Sequence, residues 1–201
     1  GGHTDTRIMQ EIVLGIGGLR ALHALDLHPC VYHMNEGHSA FLALERIAVA
    51  MERHQMTFRE ALELTRSGNV FTTHTPVPAG IDVFTRELMD KYFSQYYSKL
   101  GIGWQEFLDL GWQNNTPKGD GFSMAGCALN LCGEANGGSK LHGKVSRQMW
   151  GNLYPQVPFQ ERLQERQNPR FDADHVLLSR RGALRRRQGL ERHAADPRRQ
   201  A

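Results

Sequence analysis

Apolar residues recur along this chain in two rhythms, one of period three to four and one of short β-prone runs. Over residues 5–25, Ile8, Ile12, Val13, Leu14, Ile16, Leu19, Leu22 and Leu25 fall at three- and four-residue intervals, which predicts an amphipathic helix with Thr4 or Asp5 as its N-cap. Gly15, Gly17 and Gly18 interrupt that helix. They have the outline of a GxGxxG phosphate loop, but Arg20 stands at the sixth position and no strand precedes them. They are read instead as points where another backbone comes close. The run Cys30-Val31-Tyr32-His33-Met34 predicts a strand that ends in the polar turn Asn35-Glu36-Gly37-His38. Residues 39–51 predict a second helix, through Ala40, Phe41, Leu44, Ile47, Ala48 and Met51. Residues 57–65 predict a third, opened by a Thr57/Glu60 capping box and closed by Ser67-Gly68-Asn69.

Val70-Phe71-Thr72-Thr73 repeats the β pattern and again runs into a polar turn, His74-Thr75-Pro76-Val77-Pro78-Ala79-Gly80. An aromatic-rich helix is predicted over residues 85–100, a short one over 104–110, a loop over 111–121 and a small-residue helix over 123–132. A Gly/Asn turn over 133–139 and a last helix over 141–150 complete the pattern. Strand, polar turn and helix thus follow one another twice, the order that builds an α/β domain on a parallel sheet, helix-rich in this case. In such a sheet, ligands bind beyond the carboxyl ends of the strands, where loops and helix N-termini converge. Both polar turns fall at that edge.

Composition refines this picture in one respect. The chain has 201 residues, 40% hydrophobic and 22% charged, with a formal net charge of +3. No apolar run approaches the eighteen or so residues of a membrane span, and the first residues lack the basic and apolar stretches of a signal peptide. A cytoplasmic protein with no membrane partner is expected. Cys30, Cys127 and Cys132 lack CxxC spacing, which fits buried thiols in a reducing compartment rather than disulfides or a zinc ribbon. The positive charge is confined to the end of the chain. Residues 1–160 carry 13 basic and 15 acidic side chains, whereas residues 161–201 carry 11 arginines, no lysine and 6 acidic residues.

Glu36 and His38 sit two apart in the first turn, where a carboxylate and an imidazole could do acid–base work, bind sugar hydroxyls, or simply be solvated. His74 ends the second strand and reads either as a histidine hydrogen-bonded to backbone or as a group facing the same crevice as the first turn. His33 and His38 are five apart rather than the four of HExxH, and no metal site is expected. There is no GxSxG elbow and no Walker A loop. Lys140, Lys144 and Arg147 make a small basic group read as a solvated helix face. The arginine-rich tail has a single aromatic, Phe171, so a nucleic-acid partner is not expected.

Three segments in order are diagnostic: Tyr32-His33-Met34-Asn35-Glu36-Gly37-His38-Ser39-Ala40-Phe41, Val70-Phe71-Thr72-Thr73-His74-Thr75-Pro76-Val77-Pro78-Ala79-Gly80, and Asn136-Gly137-Gly138-Ser139-Lys140-Leu141-His142-Gly143. With Arg7-Ile8-Met9-Gln10-Glu11 upstream, they closely resemble the α-glucan (glycogen, starch or maltodextrin) phosphorylases of the bacterial short type. The resemblance covers residues 1–160. It implies a GT-B glycosyltransferase, two Rossmann-like domains with the active site between them, of which this chain would hold the later part of the N-terminal domain. It implies transfer of a terminal α-1,4-linked glucosyl unit to orthophosphate, giving glucose 1-phosphate, with pyridoxal phosphate as cofactor. By the same resemblance His74 is catalytic and lies against the glucosyl unit, and Glu36 and His38 belong to the loop flanking the glucose pocket. Asn136 and Gly137 are mainly structural, and the family often has a β-branched residue where Gly138 stands.

The Thr-Asn-Gly motif expected just after Pro158-Phe159-Gln160-Glu161 is not found. In the family, the lysine that attaches the cofactor and the groups that hold the substrate phosphate lie in a later domain, so no cofactor-binding residue is expected in this fragment. The chain alone is expected to be inactive. Residues 161–201 are expected to be a disordered, non-native tail, from a GC-rich coding region read out of frame. The alternative is a non-catalytic glucan-binding module, or a nucleic-acid binder using the arginine tail.

Overall fold

The computed structural model describes residues 4–75, 81–112, 121–157 and 159–160. They all lie within the first of the two units into which the chain divides, Gly1–Arg162. The expectations for residues 76–80 and for the tail at 161–201 fall outside the described residues.

The first helical stretch is continuous but not uniform. Helix α1 (Thr4–Ile12) passes through a π-helical turn (Val13–Gly17) into α2 (Gly18–Ala24). Thr4 and Asp5 belong to the first turn of α1 rather than capping it, and the Asp5 carboxylate accepts a hydrogen bond from Lys91 at 2.7 Å. Of the three glycines only Gly15 marks a close approach. A Cβ there would stand 2.7 Å from the backbone nitrogen of Leu42, whereas Gly17 and Gly18 have room for a side chain. The extra residue of the π turn accompanies this contact with Leu42.

Strand β1 (Tyr32–Asn35) buries Tyr32 and Met34 and turns His33 and Asn35 outward. It starts two residues later than the pattern predicts, and Cys30 lies exposed before it, so only Cys127 and Cys132 are buried thiols. A 3-10 turn (Gly37–Ser39) leads into α3 (Phe41–His54), which buries Phe41, Ala43, Leu44, Ile47 and Ala50. Helix α4 (Phe58–Arg66) opens with the predicted capping box. The Glu60 carboxylate accepts from the Thr57 N–H at 2.8 Å and the Thr57 hydroxyl accepts from the Glu60 N–H at 3.4 Å.

Strand β2 (Asn69–Thr73) is followed by the short β3 (Val83–Phe84) and α5 (Arg86–Phe93), capped by Thr85. The helix predicted over residues 85–100 stops at Ser94, and its end is a separate 3-10 turn, Tyr97–Leu100. Helix α6 (Trp104–Asp109), strand β4 (Phe122–Ser123) and helix α7 (Met124–Leu131) follow, with β3 and β4 pairing antiparallel. The aromatic rings gather here: Phe93 lies 4.7 Å from Phe41 and 5.4 Å from Phe107 between ring centres. Such pairs are worth roughly 0.5–1.5 kcal/mol beyond their burial.

Residues 133–139 are not a turn. They form β5 (Glu134–Gly137), paired in parallel with β2 through Phe71 opposite Ala135 and Thr72 opposite Asn136. Glu, Ala, Asn and Gly are all depleted in strands, so local preference conceals this one. Its place is set by burial of Ala135 between neighbours. Helix α8 (Lys140–Trp150), capped by Ser139, and β6 (Phe159–Gln160) complete a four-stranded parallel sheet in the order β1-β2-β5-β6. The domain is therefore α/β and helix-rich. No helix among the described residues is long and apolar enough to cross a membrane.

Candidate functional site

A parallel sheet whose strands neighbour one another in chain order carries all its carboxyl ends on one edge. On this edge β1 delivers Glu36 to His38, β2 delivers His74 and Thr75, and β5 delivers Gly138 and Ser139. The third turn adds to the two that the hydrophobic pattern placed there.

Glu36 joins the first two turns. Its carboxylate accepts hydrogen bonds from the backbone N–H of His74, from the Thr75 hydroxyl at 3.2 Å and from the Thr73 hydroxyl at 3.4 Å. Its own N–H donates to the Thr72 carbonyl at 2.8 Å. The backbone of Glu36 has φ 64° and ψ 178°, a region adopted almost solely by glycine, at a cost of about 1–3 kcal/mol for other residues. The carboxylate thus holds the His74 turn, and the strained backbone aims it there.

Glu36 and His38 line one cleft of about 160 Å³ with Arg7, Gly37, Thr75, Ile81, Asp82 and Ala125. His74 is exposed beside it, and its ring lies over Gly138. Larger grooves occur elsewhere, one of about 590 Å³ beside α3 and one of about 310 Å³ beside Cys30 and Tyr32. Neither collects the ends of several strands, the feature that favours ligand sites at the carboxyl edge of a parallel sheet.

Two of the residues lining this cleft, Arg7 and Asp82, form an ion pair that the hydrophobic pattern does not foreshadow. Arg7 donates to Asp82 at 2.8 Å from Nη2, and its Nε stands 3.1 Å from the Glu11 carboxylate. Glu11 is 1% exposed, and neither of its carboxylate oxygens makes a hydrogen bond. Burial, with Asp82 adding to it, pushes the Glu11 carboxyl up from its usual 4.5 to about 8. The available signal was position: Glu11 shares the helix face of Ile8 and Gly15, an acid on the apolar side of α1.

A polar ladder crosses the sheet below the edge. His33 hydrogen-bonds the Thr72 hydroxyl, which donates to the Asn136 side-chain carbonyl. Asn136 therefore ties β5 to β2. Among the described residues no cluster of three or more His, Cys, Asp or Glu is placed to hold a metal ion.

This architecture is that of an α/β domain with a cleft at the carboxyl edge of its parallel sheet. Sequence comparison makes it specific. The chain is 44% identical over 157 residues to the maltodextrin phosphorylase of Thermococcus litoralis, covering 78% of this chain and 18% of that protein. It is 43% identical over 165 residues to the glycogen phosphorylase of Mycobacterium tuberculosis, covering 77% and 19%. It is 31% identical over 150 residues to the glycogen phosphorylase of Aquifex aeolicus, covering 75% and 21%. No protein-family model matches the chain. The chain belongs to the α-glucan phosphorylase family, as a segment of such a protein, and spans about a fifth of the length of the curated relatives it matches.

Proposed function

We propose that this chain is the later part of the N-terminal Rossmann-like domain of a GT-B α-glucan phosphorylase in the cytoplasm. The parent activity is transfer of the non-reducing terminal glucosyl unit of an α-1,4-glucan to orthophosphate, giving glucose 1-phosphate with retained configuration. The observation that carries this reading is the convergence of Glu36, His38 and His74, from two strand ends, on one edge of the sheet.

In this reading His74 binds a sugar hydroxyl through its ring and turns its carbonyl toward the anomeric carbon. Positive charge develops at that carbon, and a fixed dipole stabilises it without reorganising. Glu36 holds the His74 N–H and so fixes the direction of that backbone, while His38 borders the sugar. Pyridoxal phosphate belongs to the complete enzyme and supplies phosphate-group acid–base chemistry there. The cleft residues do not fit it. Arg7, the one Arg or Lys among the described residues lining the cleft, is bound to Asp82, and Glu36 and Asp82 add negative charge.

Titration of the isotope-labelled chain with maltopentaose tests the binding half of the proposal. Amide shifts centred on residues 36–38, 74–75 and 138–139 are expected, together with no glucose 1-phosphate from maltodextrin and orthophosphate. Shifts confined to residues 161–201, or none at millimolar sugar, would contradict it.

A further inference from the structure

Gly138 is the first residue beyond β5, and its N–H donates to the Thr73 carbonyl at 2.9 Å. The pairing of Thr73 with Gly137 therefore fixes Gly138 directly against the residue that precedes His74. A Cβ built on Gly138 would stand 2.0 Å from Nδ1 and 2.4 Å from Cε1 of the His74 imidazole. Ordinary contacts between such atoms are about 3.5–4.0 Å. The ring thus fills the volume that the side chain of any other amino acid would take. The backbone at Gly138 is not in the left-handed region, so torsional freedom is not the reason for glycine here. Space is.

The main chain of His74 is held separately, by the Glu36 carboxylate on its N–H. One neighbouring strand end therefore fixes the backbone of this histidine, and the other receives its ring.

We propose that Gly138 is the positioning residue for His74: its missing side chain is the seat that holds the imidazole against the carboxyl end of β5, and so sets the direction from which the ring meets a sugar. The significance for sugar binding rests on the proposed function; the seat itself does not. A side chain at residue 138 moves the ring by roughly 1.5 Å or more to restore normal contact. Because His74 is exposed, the ring can move without disturbing the sheet, so the substitution changes the site rather than the fold.

Nuclear magnetic resonance of the full 201-residue chain provides the test. In the unmodified protein, cross-relaxation is expected between the His74 ring protons and the Gly138 Hα protons, whose ring-current shift disappears in His74→Ala. In Gly138→Ala that contact should be lost, and the imidazole nitrogen shifts of His74 should change. The amides of Thr72 and Asn136 should stay in place and the melting temperature should hold within a few degrees. No ring contact in the unmodified chain, or identical His74 signals in Gly138→Ala, overturns the proposal. The first measurement decides even if the variant fails to fold. Failure of the glucan reading would appear separately, as maltopentaose leaving both proteins unperturbed while the ring contact persists.

Discussion

The most unusual residue is Glu36, an acidic side chain on a backbone of φ 64° that accepts three hydrogen bonds, from Thr73, His74 and Thr75. Replacing it by alanine loses those bonds and keeps the strain, at an expected cost of about 2–3 kcal/mol by urea unfolding. Glu36→Gly relieves the backbone and should be the less damaging of the two by about 1 kcal/mol. Equal stabilities for the two variants would show that the backbone at this position is not strained. Glu11 is the second residue with a distinct signature. Its carboxyl titrates near 4.5 when unfolded and near 8 when folded, so the folded chain holds the proton more tightly. Its contribution is full below about pH 4.5 and is lost as pH rises toward about 8, with a slope of up to about 1.4 kcal/mol per pH unit. Urea midpoints at pH 5.5 and 7.5 should fall in the unmodified chain and stay nearly level in Glu11→Gln. An equal fall in both proteins would remove Glu11 as the cause.

Among the elements, those with strong local signals were readable from sequence, and those made by tertiary contact were not. The capping box at Thr57 and Glu60 and the buried face of α3 follow from residue type and period alone. Thr57→Ala should cost about 1 kcal/mol and leave the cleft unchanged, as read by thermal unfolding and by the shifts at residues 36–38. Gly15 is predicted to be far less tolerant, because a methyl group there meets the backbone of α3. Gly15→Ala should cost about 1–3 kcal/mol, whereas Gly18→Ala, which meets nothing within 4 Å, should be neutral or stabilising by up to about 1 kcal/mol. The reverse order would contradict the close approach of α1–α2 to α3. Strand β5 was illegible because its four residues carry no β preference, and it exists through Ala135 in the core and its pairing with β2. The break after α5 was illegible for the opposite reason. The aromatic pattern continues through Tyr96 and Tyr97, but Tyr96 turns aside to donate to the buried Glu45 at 2.8 Å.

At the scale of the molecule, the alternation of strand, polar turn and helix was enough to foresee a parallel sheet with Glu36, His38 and His74 at its carboxyl edge. What it could not supply was the internal use of those groups: the Glu36 carboxylate on the His74 backbone, the ring on Gly138, and the Arg7–Glu11–Asp82 group beneath. Each depends on a contact between residues more than 30 apart in sequence, Glu36 with His74, His74 with Gly138 and Arg7 with Asp82. The central claim is that the described α/β unit is a working part of an α-glucan phosphorylase. Its most direct test replaces the matching segment of the Thermococcus litoralis maltodextrin phosphorylase with residues 4–157 of this chain and measures phosphorolysis of maltodextrin. The expected result is glucose 1-phosphate formation that falls at least about 100-fold on His74→Ala. A folded chimera without activity, or one whose turnover is unchanged by His74→Ala, would contradict the claim.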